Sequence, residues 1–290
     1  IKYYKTKVKM PDLAISPDGD FPVINVEKGI YAMELDVGKV SDAVLDISAG
    51  SRTNVVPDLC TALVDKSLDL KPLEKFNVEV KEADGRIQLL TRGKSTHGAM
   101  PHTGVNATWE MFRALSACLP DDKTLAFVAE KMCRDVNGKA WGFPLEDEVS
   151  GKITHSIGVV SLKNGNLKIK LDVRYPVTYK DSFVAEAMKK NSIDSFKIEE
   201  GHIKQPLHVD ADSPLVKGLL EVYNKEMSCD AKPIAIGGGT YSRMLPMCVA
   251  FGPSFPGDTQ VIHEINEYVS IDRLMQMAHI YLEAFAKMCG

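Results

Sequence analysis

The chain has 290 residues, 44% of them hydrophobic and 26% charged, which is enough apolar side chain for one large or two moderate cores. Its net charge of −4 argues against the clustered basic surface that nucleic acid requires, so no nucleic-acid partner is expected. No apolar run approaches the ~20 residues of a spanning helix, and the opening IKYYKTKVKMPD has no signal-peptide core, so no membrane partner and a cytoplasmic location are expected.

In chain order, FPVINV (21 to 26), YAMELDV (31 to 37) and AVLDISAG (43 to 50) are short alternating or β-branched runs and read as strands. NVVPDLCTALVD (54 to 65) fits a helix through Leu59 and Leu63 and a strand through Cys60, Ala62 and Val64; Pro57 favours the strand. KFNVEVKE and RIQLLTRG flank Asp84-Gly85, and SIGVVSL and NLKIKLDVRYP flank Asn164-Gly165; both pairs are hairpin signals. Between the hairpins the period turns helical in 105 to 119 and in 124 to 133. Asp181 is positioned to cap a helix DSFVAEAMKKN, and FKIEEGHI is extended. Residues from about 30 to 205 thus predict an antiparallel sheet with helices on one face.

Beyond Pro206, Ser213-Pro214 opens a helix running to about Met227, PIAIGGG ends a strand in three glycines, and MCVAFGP is a buried strand. Ser270 opens a last amphipathic helix with Leu274, Met277, Ala278, Tyr281 and Phe285 on one stripe. The six cysteines are far apart and form no CxxC, so they are read as reduced core residues.

The chemistry-bearing residues are scattered. His263 stands among carboxylates in FPGDTQVIHEINEY just before the last helix, and Asp18 lies in SPDGDFP before a strand; each is a candidate metal ligand, and each has an ordinary structural reading. His97, in the loop KSTHGAMPH, could donate to a developing oxyanion, and Arg174 could grip a carboxylate. The Gly237-Gly238-Gly239-Thr240 turn could cradle an anion but lacks the spacing of a nucleotide fingerprint.

Taken together, SPDGDFPVIN, SRTNVVPD, KSTHGAMPHTGVNA, LDVRYP, IGGGTYSRML and FPGDTQVIHEINEYVSIDRL resemble the PepV-type bacterial dipeptidases. These belong to the zinc metallopeptidase superfamily that includes carnosinases, aminoacylases and carboxypeptidase G. The resemblance spans nearly the whole chain, with Thr96 standing where many relatives carry alanine. It implies an α/β fold: a partial zinc-peptidase catalytic domain (1–29 and 206–290) interrupted by an α+β lid domain with an antiparallel sheet (30–205). It also implies a dipeptide substrate, with Asp18 and His263 as metal ligands and His97 stabilising the oxyanion. Asn54 and Arg174 would hold the dipeptide, and Gly238, Gly239 and Thr240 would line the pocket for its terminus. The implied cofactor is zinc, two ions in the complete enzyme, with manganese or cobalt as alternatives.

Family members also carry, upstream of the SPD segment, a histidine ligand, a bridging aspartate and a Glu-Glu pair, and none of these is in the 290 residues. The expectation is therefore a truncated dipeptidase that hydrolyses little or nothing alone, and that partners either its missing N-terminal half or a second copy. Two alternatives stand beside it: an N-acyl amino acid deacylase or desuccinylase of the same superfamily, and a noncatalytic peptide-binding module.

Overall fold

The computed structural model describes residues 1–83, 85–259, 261 and 265–290. The chain forms two compact units, one of residues 29–205 and one of residues 1–28 with 206–290.

The larger unit is built on eight strands, all paired antiparallel, in the order Lys197–Lys204, Gly29–Lys39, Asn166–Tyr175, Thr154–Lys163, Val44–Ala49, Leu59–Val64, Arg86–Arg92 and Glu79–Ala83. The period-2 alternation of side chains sorts the faces. Met33, Leu35 and Val37 and, beside them, Leu167, Ile169, Leu171 and Val173 enter the core. Glu34 and Asp36 with Lys168 and Lys170 take the other face, where Lys168 reaches Asp36 at 2.9 Å and Glu199 at 2.6 Å. Helix Ala107–Cys118 covers the core face, its first turn capped by Asn106, whose side chain accepts from the Thr108 N–H. Trp141 anchors this core edge-to-face against Phe127 and Phe196, with centroids at 5.6 and 5.7 Å.

Local sequence accounts for several of these elements. Asn164 and Gly165 both take positive φ (52° and 77°), the primed two-residue turn that matches strand twist, and the flanking strands pair in register from Lys163–Asn166. The ambiguous stretch 54 to 65 is a strand, Leu59–Val64, with Cys60, Ala62 and Val64 buried on one face. Two expectations need correction. Asp181 is the first helical residue of Asp181–Lys190 and makes no cap; its carboxylate instead accepts from Gln205. The single helix expected over 124 to 133 is Lys123–Phe127, capped by Asp122, followed by a wider π turn at Val128–Met132.

In the smaller unit, strand Ile24–Glu27 is buried at all four positions. It pairs with Ile234–Ile236 in parallel and with Leu207–His208 and Cys248–Ala250 antiparallel, the last of these pairing onward with Ala14–Ser16. Helix Pro214–Met227 starts at Ser213, whose hydroxyl accepts from the Val216 N–H, and helix Ile271–Cys289 starts at Ser270, which accepts from Arg273. Phe21 centres the core, with ring centroids 5.2 Å from Tyr223, 4.9 Å from Phe251 and 4.7 Å from Phe255. No described helix is long and apolar enough to cross a membrane. All six cysteines are free; Cys60, Cys133 and Cys248 are buried and Cys118 partly so, whereas Cys229 and Cys289 are exposed and depart from the core reading.

Candidate functional site

In the smaller unit, the SPDGDFP segment forms a short strand, Gly19–Asp20, alongside Pro253–Ser254. These two, with Gly239, Asp258, Glu267, Tyr268 and Arg273, border a cleft of about 620 Å³, a volume typical of small-molecule sites. Asp18 is exposed on its rim, and its Oδ2 accepts from the Tyr241 backbone N–H at 3.2 Å. Asp20, half-buried beside it, has its pKa raised by desolvation. Across the cleft Arg273 lies 4.6 Å over the Phe255 ring and gives Nη2 and Nε to Asp258 Oδ1 at 2.7 and 3.1 Å, so its charge is already balanced.

Strand Ile234–Ile236 runs straight into the Gly237–Thr240 turn, which a buried carboxylate holds. Glu27, fully buried at the end of its strand, accepts from the Thr240 N–H at 3.1 Å and the Thr240 hydroxyl at 2.5 Å, and forms an ion pair with Arg243. Arg243 also donates to the carbonyls of Lys28 and Gly238, each at 2.7 Å. Gly239 is needed for this contact, since a Cβ there would stand 2.9 Å from Arg243 Nε. The N–H groups of Gly238 and Gly239 make no hydrogen bond among the described residues, leaving two backbone donors on the turn.

The larger unit carries a second constellation on the sheet face away from its core. Strand Asn166–Tyr175 sets Asp172 and Arg174 two residues apart on that face, joined by two bonds: Nε to Oδ1 at 2.6 Å and Nη2 to Oδ2 at 2.7 Å. Both are buried, so a ligand carboxylate at Arg174 would share the guanidinium with Asp172. The His97 loop lies over this pair: a Cβ on Gly98 would come within 2.9 Å of Asp172 Oδ2, and the Gly98 N–H donates to Asn54 O at 2.8 Å. His97 is exposed, its Nε2 3.5 Å from Asn54 Nδ2, while Nδ1 accepts from the Ala99 N–H at 3.2 Å. Asn54 Nδ2 can only donate, so its contact with Nε2 and the Ala99 bond to Nδ1 call for opposite tautomers of the ring.

The structure therefore brings Asn54, His97 and Arg174 into one patch, and Asp18, Gly238, Gly239 and Thr240 into another. His263 lies outside the described residues. Among the described residues no three His, Cys, Asp or Glu side chains gather, so the described donors supply Asp18 alone, short of the three protein ligands that zinc takes. Sequence reading missed Glu27, Arg243 and Asp172. Each left a signal: Glu27 is an acid closing an apolar strand run, Arg243 follows the glycine turn, and Asp172 alternates with Arg174 in LDVRYP.

No family model matches the chain. By sequence it is 32% identical over 303 residues to a Bacillus subtilis protein named Putative dipeptidase YtjP, covering 98% of this chain and 65% of that protein. It is 30% identical over 314 residues to a Staphylococcus aureus protein named Putative dipeptidase MW1694, covering 99% and 66%. The chain thus spans just under two thirds of the length of these relatives. Among solved structures it is similar to the M20 family metallo-carboxypeptidase Sso-CP2 from Sulfolobus solfataricus, with a TM-score of 0.48 and 16% identity, covering 99% of this chain and 65% of that one. It is also similar to the aminoacylhistidine dipeptidase from Vibrio alginolyticus, with a TM-score of 0.45 and 14% identity, covering 96% and 66%.

Proposed function

We propose that the chain, similar along almost its whole length to bacterial proteins named putative dipeptidases, is part of a metal-dependent dipeptidase acting on short peptides. The observation that carries this reading is the match to YtjP along 98% of the chain. Two local arrangements support it. The Gly238 and Gly239 N–H groups meet no acceptor among the described residues, in a turn whose Gly239 borders a cleft large enough for a dipeptide, and the exposed His97 ring stands beside Asn54 on the loop over Arg174 and Asp172.

In this reading residues 1–29 and 206–290 are catalytic-domain segments and 30–205 the lid. Gly238, Gly239 and Thr240 receive the substrate terminus, Asn54 and Arg174 hold its backbone and carboxylate, and His97 donates to the oxyanion. Asp18 and His263 are the ligands for zinc, manganese or cobalt, and the ion when bound supplies an activated water and a polarised carbonyl.

Binding rather than turnover tests this. Titration of the labelled chain with alanyl-alanine should shift the Gly238 and Gly239 amides, and N-acetyl-alanine should do so less. Zinc alone should perturb Asp18. A dipeptide that moves neither glycine overturns the peptidase reading, stronger shifts with N-acetyl-alanine favour a deacylase, and an unmoved Asp18 removes the metal assignment.

A further inference from the structure

The Glu27–Arg243 pair does more than the peptide-binding role of the turn requires. A carboxylate with no solvent exposure is costly unless ionised partners and N–H donors meet every lone pair, and replacing such a pair with apolar residues is often neutral for stability. Stability is therefore a weak reason for this pair to exist, whereas geometry is a strong one. Glu27 grips Thr240 three times, through its N–H to both carboxylate oxygens (3.1 and 3.2 Å) and through its hydroxyl (2.5 Å). The Thr240 hydroxyl also accepts from the Ser242 N–H at 3.1 Å, which starts the short 3₁₀ turn Tyr241–Met244. Tyr241 is the next residue along, and its N–H is the one that meets Asp18 at 3.2 Å.

Fixing Thr240 on both sides of its Cα fixes the plane of the following peptide, because that peptide has only one soft torsion left to move. The direction of the Tyr241 N–H is thus set by a carboxylate buried one strand away. Asp18 makes no other hydrogen bond among the described residues, so this N–H is the only described polar contact that orients it.

We propose that Glu27 is a positioning residue. Through Arg243 and Thr240 it aims the Tyr241 N–H, and so orients the Asp18 carboxylate at the rim of the cleft while presenting the Gly238 and Gly239 amides to substrate. The inference deepens the dipeptidase reading and rests on it for its purpose, but the relay from Glu27 to Asp18 is a property of the free chain.

Amide hydrogen exchange on the full chain, without ligand, tests the relay. Asp18→Ala should speed exchange of the Tyr241 amide by about tenfold and leave Thr240 protected. Glu27→Gln, which keeps an acceptor but loses the charge, should speed both, while amides of helix Pro214–Met227 keep their wild-type rates. Arg243→Lys should free Thr240 and Tyr241 less than Glu27→Gln does, since the charge is retained. The proposal is overturned if Glu27→Gln releases Thr240 and leaves Tyr241 protected, or if every amide of the smaller unit accelerates equally, which would make Glu27 a structural residue only. If Glu27→Gln does not fold, Thr240→Val, which removes the hydroxyl grip on Glu27 together with the cap on Ser242 and keeps the Thr240 N–H contacts, carries the same expectation for Tyr241 and the same overturning result. Because no peptide is present, failure of the dipeptide titration sinks the functional reading and leaves this result standing by itself.

Discussion

His155 shows what one misplaced proton can cost this fold. It sits on strand Thr154–Lys163 at a core-facing position, 1% exposed, with Trp141 and Phe143 rings 5.9 and 5.7 Å away, and neither ring nitrogen has a hydrogen-bond partner among the described residues. Burial drives its pKa down to about 4, against the pull of Asp135. Asp135 itself is pushed up by desolvation, but the N–H groups of Ala140, Asn137 and Lys139 outweigh this and lower it. Well above pH 6.5 the ring is neutral in folded and unfolded chains and pH has no leverage through it. Below that, the unfolded chain takes a proton that the folded one refuses until about pH 4, so stability falls as pH falls. Lowering the pH from 6.5 to 5 should cost about 2 kcal/mol through this residue alone. Denaturant melts of the wild type and His155→Leu across that range should show the loss in the first and its absence in the second; parallel curves would refute the assignment. The strand read from SIGVVSL starts one residue after His155, and which parity faces the core depends on its pairing with Asn166–Tyr175, which no single-strand pattern contains.

At the scale of elements, the last helix marks the limit of periodicity. Its start was legible: Ser270 in the capping position takes the Arg273 N–H, as a serine before an apolar-periodic run predicts. Its facing side was not. The residues turned inward are Met277, Ile280, Tyr281, Ala284 and Met288, while Leu274 and Phe285 of the expected stripe are 45% and 55% exposed and Ala278 is exposed too. Ile271, Met275 and Leu282 also point outward, so apolar residues occupy well over half of the helix circumference. A 3.6-residue period finds a stripe there but cannot choose between neighbouring ones. The hairpin at Asn164-Gly165 was legible for the opposite reason, because both turn positions demand positive φ and the dipeptide states that demand locally. The site follows the same division. Asp18, His97 and the glycine turn sit in loops with marked turn chemistry, whereas Glu27 and Asp172 act through partners more than 200 and 70 residues away or through the packing of a whole loop. Ser270→Ala should destabilise the smaller unit by about 1 kcal/mol through the lost cap, measured by denaturant midpoint, with no change in the larger unit.

At the scale of the whole molecule, the two cores share no residue. One runs from Met33 to Phe196 and the other joins Phe21 and Val23 to residues from Leu207 onward. The larger unit is continuous in sequence, and its ends are neighbours: Ile30 pairs with Lys204 across adjacent antiparallel strands. A segment whose termini leave side by side from one sheet edge can be cut out without breaking a strand ladder or opening its core. Its core includes the fully buried Trp141, Phe112, Phe143, Tyr175, Met33 and Leu35, and every pairing of its eight strands is internal. Residues 29–205 made alone should therefore unfold cooperatively in denaturant, with the tertiary signal of Trp141 lost in the same transition as the secondary structure. His155 travels with this piece, so its acid lability between pH 6.5 and 4 should persist in the fragment. A fragment that is unfolded at neutral pH, or that melts without cooperativity, would mean that residues outside 29–205 supply stability that its own core lacks.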